Sequence, residues 1–286
     1  MRKVRRVRRN KRVTRRPLKE PLGVNRMYNH PGYRPSAPHI PRENHPFPAV
    51  SVIIPAMNEE GRIAAVIAEA RAVHPETEVI VVANGCEDQT AIIAERMGAH
   101  VLTYTEPLGH DVGRSVGAGS AKGSVLLFTD SDMVIPANEL RPYVQAVQRG
   151  VDVALNDHTG PIERTEVHRV ILAKYTLNSM LGRPDLHGAS MTAVPHALSR
   201  QALEVIGVEA LQVPPKAHVL AIDRGLRVEA VHRVEVGRMN PARGHGRDPL
   251  EWLVIGDHLE ALETWIQRRG TRGGHHDGGR IRDVVR

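Results

Sequence analysis

Cysteine is almost missing from this chain: Cys86 stands alone among 286 residues. One thiol cannot close an intrachain disulfide, so no disulfide framework holds the fold, and nothing points to an oxidising compartment. Aromatic side chains are also few, with two Phe, two Trp and five Tyr. Stacking platforms for sugars or bases are therefore scarce; Trp252 and Tyr175 could offer faces but read more naturally as core. No apolar run approaches the roughly 20 residues that a membrane-spanning helix needs. The chain opens on positive charge, but no apolar stretch follows it as in a secretory signal. These absences describe a cytoplasmic protein that could sit peripherally at a membrane.

Acidic residues are nearly absent from the first fifty positions. There, 14 Lys and Arg face only Glu20 and Glu43, a balance of +12; the remaining 25 Lys and Arg face 30 Asp and Glu, a balance of −5. The basicity thus belongs to an arm and the body is mildly acidic. Residues 1–48 also lack apolar periodicity and carry Pro31, Pro35, Pro38, Pro41, Pro46 and Pro48. Like charge and proline both oppose a packed core, so this arm is expected to be disordered.

From Val50 the pattern changes. Val50 to Ile54, Glu78 to Val82, His100 to Tyr104 and Ser124 to Thr129 read as strands. Gly61 to Ala72, Asp88 to Met97 and Val112 to Ala121 read as the helices between them. That alternation implies right-handed crossovers and an α/β fold with a mainly parallel sheet. Beyond it, helices are expected over Asn138 to Arg149, Glu163 to Met180, Pro195 to Ile206, Pro215 to Asp223 and Pro249 to Gln267. Strands are expected over Val151 to Leu155, Gly188 to Val194 and Leu226 to Val231. From Arg268 onward the glycine-rich sequence should be a loose tail. One domain would then run over 49–267, with a ligand-binding half at 49–135 and a second half at 136–267.

Three of the early strands end in polar residues, at PAMNEE, ANGCEDQT and TDSD. Parallel sheets bind ligands beyond the carboxyl ends of their strands. Asp130 and Asp132 flank Ser131 where a buried strand meets a loop, and an i, i+2 pair on a strand faces one side. Two hard oxygen ligands so placed suit Mg²⁺ or Mn²⁺ held against a diphosphate. Taken alone, DSD is also an ordinary strand-end turn; the two other ligand-facing strand ends favour the metal reading.

SVIIPAMNEE, VVANGCEDQT, GHDVGRSVGAGSAKG and LLFTDSD, in this order and spacing, resemble the nucleotide-binding half of the family 2 glycosyltransferases, which have the GT-A fold. Similar elements occur in polyprenyl-phosphate sugar transferases and glucosyl-3-phosphoglycerate synthases. The likeness is close over residues 50–150 and looser over 150–235. It implies a donor that is a UDP- or GDP-linked sugar, a Mn²⁺ or Mg²⁺ cofactor and an acceptor that the sequence does not name. Pro55, Ala56, Asn58 and Glu59 would line the nucleotide pocket, and Asn84 would face the base. Gly109, Asp111 and Arg114 would close over ribose and diphosphate. Asp130, with Ser131 beside it, would bind hydroxyls of the ribose or sugar and help hold the metal that Asp132 ligates. Arg114 is the guanidinium expected to stabilise the departing phosphate. His232 falls where some GT-A enzymes supply a third metal ligand, and Arg238 could instead reach the diphosphate. His187 lies in the stretch bordering sugar and acceptor.

One departure concerns the catalytic base. Inverting members carry a Glu-Asp pair before a glycine equivalent to Gly225, whereas LQVPPKAHVLAIDRG has no acid between Glu209 and Asp223. Either Asp185, His187, Asp257 or His258 supplies the base, or the reaction retains configuration and needs none. Two competing classes remain. A GT-A-like domain without a base could be a non-catalytic binding or assembly protein tethered by its arm. A sugar-nucleotide nucleotidylyltransferase would need a Gly-rich phosphate loop after the first strand, which PAMNEEG lacks. The arm itself suits an anionic membrane surface, and nucleic acid less well. Cys86 reads as a small loop residue.

Overall fold

β-Branched residues with both faces covered are what build the centre of a parallel sheet. Val50, Val52, Ile53 and Ile54 are all fully buried in β1 (Val50–Ala56), as are Val79 to Ala83 in β2 (Thr77–Asn84). The computed structural model describes residues 43–162, 166–239 and 250–285. In it β3 (His100–Tyr104), β4 (Val125–Phe128), β5 (Val153–Asn156), β6 (His196–Ser199) and β7 (Val228–His232) complete a seven-stranded sheet of order β3-β2-β1-β4-β6-β5-β7. Only β6 runs antiparallel to its neighbours. Register aligns Ala56 with Ala83 and Ile53 with Phe128. The loops after β1, β2 and β4 therefore emerge along one edge.

Alternation along β1 splits the core into two layers. Val52 and Ile54 face α1 (Ile63–Arg71), α2 (Thr90–Arg96) and α4 (Ala137–Gln148). Ile53 faces α3 (Val112–Ser120), α6 (Arg200–Ile206) and α7 (Pro214–Asp223). A third cluster joins α7 to α5 (Arg169–Met180) and α9 (Glu251–Arg269) through Leu177, Val219, Ala261 and Trp265. No described helix is long and apolar enough to cross a membrane.

The glycines of α3 let it lie close on the sheet. A Cβ on Gly117 would come within 2.5 Å of Ile53 Cγ2, and one on Gly113 within 3.1 Å of Pro55 Cβ. Gly117→Ala should therefore cost about 1–3 kcal/mol of stability by overpacking, despite alanine's better helix propensity. Urea unfolding checks this, and a variant as stable as the parent would show that the helix can shift outward freely.

The second half departs from the sequence reading at one place. Gly188 to Val194 is not a strand: Asn178 Nδ2 takes the carbonyls of His187 (2.8 Å) and Ala189 (2.9 Å), so they are not spent on a ladder. The strand is instead His196–Ser199, inside the stretch expected to be helical. All four of its residues pair with β4, Ala197 and Leu198 also pair with β5 on the other side, and Ser199 Oγ then caps α6 by accepting from Ala202 N at 3.0 Å. The ends of the body also differ. Asn44, assigned to the arm, exchanges hydrogen bonds with Val79 of β2 at 2.8 and 3.1 Å. The expected tail, from Arg268, is instead held to the body, with Arg269 at the end of α9 on Asp223 and His275 Nε2 2.9 Å from Met180 O. The rest of the arm, residues 1–42, lies outside the described residues, as do 163–165 at the expected start of α5.

Candidate functional site

Asn58, in the left-handed region at φ 57°, turns the chain just past β1. Its Oδ1 accepts from Glu87 N at 2.8 Å, Glu59 N donates to Thr90 Oγ1 at 2.7 Å, and Glu60 N donates to Asp88 Oδ2 at 3.0 Å. Cys86 Sγ lies 3.3 Å from Ala56 O. The loops after β1 and β2 are thus stitched into one wall, with Pro55 and Ala56 at its base.

Asn84 ends β2 and holds a third loop. Its Oδ1 accepts from Leu108 N at 2.6 Å and its Nδ2 donates to Gly109 O at 3.2 Å. Gly109 has φ 99° and Gly85 φ 67°, conformations that favour glycine. The amide expected to face a base therefore organises the backbone beside that position.

The loop held by Asn84 delivers Asp111, the residue that opens α3. Asp111 sits at φ 62°, and its Oδ1 lies 3.1 Å from Arg114 Nη1. Arg114 Nη2 lies 3.4 Å from Asp130 Oδ1, and Nη1 is 3.5 Å from Met191 O. Arg114 and Asp111 are buried, whereas the Asp130 side chain is 36% exposed. The guanidinium thus bridges a buried acid on α3 and a partly open one beyond β4. Asp130, Ser131 and Asp132 all lie past the end of β4, on a bend, rather than on the strand as the i, i+2 argument assumed. Buried Ser131 and Met133 anchor that bend on either side of half-buried Asp132. Two hard carboxylates on an anchored loop are a chemically suitable pair for Mn²⁺ or Mg²⁺, completed by oxygens of a bound ligand. Among the described residues no group of three His, Cys, Asp or Glu is disposed to hold a metal unaided.

Other expected site residues have partners of their own or stand on separate elements. His232 Nε2 is 2.8 Å from Glu139 Oε2, and its carbonyl accepts from Tyr143 OH at 2.8 Å. Asp185 is held bidentately by Arg183 at 2.9 and 2.7 Å, which keeps its carboxyl below the usual range. His258 is buried with Nδ1 2.7 Å from Val254 O, and burial lowers its pKa. His187 is exposed at the end of a 3-10 turn, its ring centroid 6.1 Å from that of Tyr175. Arg238 lies in the short helix α8 (Val236–Met239). Trp252 is not core: it is 60% exposed beneath the Arg169 guanidinium at 5.1 Å.

Asp257 does approach the constellation. Burial raises its pKa, and the charges of Asp111 and Glu260 raise it further against the pull of His110. Two more groups were not foreseen. Burial pushes the Lys174 ammonium on α5 down to about 8, with Arg114 adding to the effect. His196 is pushed down to about 3 by burial and then by Arg114; its ring stacks on Phe128 at 4.9 Å. The signal for Lys174 was a single lysine inside VILAKYTLN, an otherwise uncharged stretch of helix.

Comparison with known proteins places this geometry among transferases. The model of "Glycosyl transferase family 2" matches residues 51–201. A dolichyl-phosphate hexose transferase of Haloferax volcanii is 29% identical over 111 residues, 39% of this chain and 48% of that protein. An uncharacterized glycosyltransferase of Mycobacterium tuberculosis is 31% identical over 105 residues, 37% of this chain and 46% of its own length. The matched region thus spans about half the length of these relatives. Among solved structures, a glucosyl-3-phosphoglycerate synthase of M. tuberculosis, in complex with Mn²⁺, UDP and phosphoglyceric acid, superposes with a TM-score of 0.56 at 20% identity, covering 81% of each chain. The fold is therefore GT-A.

Proposed function

The chain belongs to glycosyl transferase family 2, and from that membership we propose that it is a glycosyltransferase moving a sugar from a nucleoside diphosphate to an acceptor still to be identified. The observation that carries this reading is the Asp111–Arg114–Asp130 bridge beside the Asp132 loop, at the carboxyl edge of β1, β2 and β4. UDP is the favoured nucleotide, because the solved neighbours include complexes with UDP and UDP-glucose. Residues 49–135 would hold the donor and 136–267 the acceptor, with 268–286 as a tail. The polybasic arm would attach the enzyme to an anionic surface.

Each role follows from a position. Asn84 keeps the 108–109 loop in place beside the nucleotide wall formed by residues 55–59. Arg114 presents a fixed guanidinium where negative charge grows on the leaving phosphate, and a preorganised donor there lowers the barrier. A divalent cation held by Asp130 and Asp132 would supply Lewis-acid neutralisation of the same diphosphate. In the window where inverting relatives carry their acids, Pro214 and Pro215 start α7. Asp257 is the favoured proton acceptor, since burial keeps its carboxyl more basic than usual. His187, on the exposed turn, is the other candidate on the acceptor side.

The missing acid pair favours one second reading, a domain that binds nucleotide sugars without turning them over. Incubating the protein with Mn²⁺ and a panel of UDP- and GDP-sugars, and following nucleotide release, separates the two. Slow release of UDP is expected. Tight binding without release supports the non-catalytic reading, and absence of both binding and release overturns the assignment.

A further inference from the structure

We infer that the cavity between the last turns of α5 and α9 binds a short alkyl carboxylate, its chain against Leu262 and Ile266 and its head towards Trp265 and Arg272. The site stands on residues that the glycosyl-transfer reading does not use, and it holds or fails apart from that reading. The cavity has a volume of about 200 Å³. Met180 from α5, Leu262, Trp265 and Ile266 from α9, and Arg272 and Gly273 from the segment after α9 form much of its wall. Leu262 lies three and four residues before Trp265 and Ile266, so the three side chains meet along one side of the helix. That wall suits a hydrocarbon. An apolar cavity of about 150 Å³ already takes up benzene, so a chain of roughly six to eight carbons is the fitting size.

The polar groups set the head of the ligand. Trp265 is 9% exposed, and its Nε1–H is buried with no hydrogen-bond partner among the described residues. An indole N–H can only donate, and a buried donor left unpaired is destabilising. Gly273 keeps side-chain atoms off that edge of the ring, since a Cβ there would come within 2.5 Å of Nε1. Arg269 lies over the ring, its guanidinium carbon 5.2 Å from the centroid. Positive charge is in surplus around the cavity. Arg272, Arg280 and Arg282 share the carboxylate of Asp277, at 3.5, 2.8 and 2.8 Å, and Arg268 and Arg269 share that of Asp223. Five guanidiniums thus meet two carboxylates. The carbonyl end of α5, which would oppose an anion, is already occupied: Met180 O accepts from His275 Nε2 at 2.9 Å. A carboxylate brings two acceptor oxygens, one for the indole N–H and one for a guanidinium. An amine head would meet the surplus of arginines, and a plain hydrocarbon would leave the indole unpaired.

The test uses the full chain, octanoate as the probe, and octylammonium as a control of equal chain length. Trp252 and Trp265 are the only tryptophans of the chain, so a Trp252→Phe variant assigns the two indole N–H signals in a nitrogen-15 spectrum. On titration with octanoate the Trp265 N–H proton should move downfield to saturation, as for a donor gaining an acceptor, while that of Trp252 stays in place. In calorimetry each methylene from butanoate to octanoate should tighten binding about fourfold, as for transfer of a methylene out of water. Arg272→Gln should weaken octanoate about tenfold, with Arg272→Lys recovering part of the loss through its charge. Octylammonium should bind at least about tenfold more weakly than octanoate. Absence of saturable octanoate binding overturns the inference, as does binding that leaves the Trp265 N–H signal unmoved. Equal affinity for octylammonium, or parental affinity in Arg272→Gln, would remove the carboxylate from the proposal and overturn it as well.

Discussion

Replacing Asp132 by Ala should remove Mn²⁺-dependent binding of UDP, weakening it by about 100-fold or more. Outer residues around a metal already cost 10–100-fold, and a direct ligand should cost at least as much. The structural ground is the loop itself. Buried Ser131 and Met133 pin the chain on either side of half-buried Asp132, so the carboxylate is placed before any ligand arrives. Asp130 cannot replace it, since one of its oxygens already lies against Arg114. Asp132→Asn keeps the shape of the side chain and removes the charge, so it should lose binding nearly as completely while melting at the parent's temperature. Chelating the metal should bring the parent down to the affinity of the variant. Asp185→Ala, which breaks only a surface pair with Arg183, should leave binding unchanged. Equal affinity of parent and Asp132→Ala in calorimetry would remove the metal role from this loop.

Much of this site was legible because its parts are local. A β-branched run followed at once by polar residues marks a buried strand and its ligand-facing end, and β1, β2 and β4 all carry that mark. The four-residue β6 carries too little pattern to be told from the start of the helix after it. Its strand state comes from having β4 on one side and β5 on the other, a non-local fact. The glycines of α3 are poor helix formers, yet they are what allows the helix to press on Ile53 and set Arg114 against Asp130. His232 has the chemistry of a metal ligand, but Glu139, 93 residues earlier, takes its ring. Asn84 looked like a base-reading amide, and the backbone of Leu108 and Gly109 takes both of its ends. Lys174 was visible only as a charge in an uncharged stretch of helix. Its significance depends on Arg114, sixty residues away in sequence and close enough in space to lower its pKa.

Arg114 carries the second large expectation, because folding and turnover should respond to it separately. Arg114→Met removes the cation between Asp111 and Asp130. Breaking a buried pair from one side typically costs about 3–5 kcal/mol, because the other charge stays behind without compensation. Here the cost should fall at the lower end, since Asp130 is partly exposed and 3.4 Å away, leaving Asp111 as the main stranded charge. Adding Asp111→Asn to Arg114→Met should therefore recover much of the lost stability, a non-additivity expected of residues in contact. Turnover should not recover. A fixed donor at a developing oxyanion contributes about 10²–10³ in rate, and the double variant still lacks it. Arg114→Lys should hold stability better than methionine does, yet release nucleotide slowly, because one ammonium cannot span both acids and also meet a phosphate. Urea midpoints and initial rates of UDP release, measured on the same four proteins, resolve the two effects. If the double variant is no more stable than Arg114→Met, the guanidinium does not compensate Asp111. If Arg114→Met still releases UDP at the parent's rate, the leaving phosphate is stabilised from some other position.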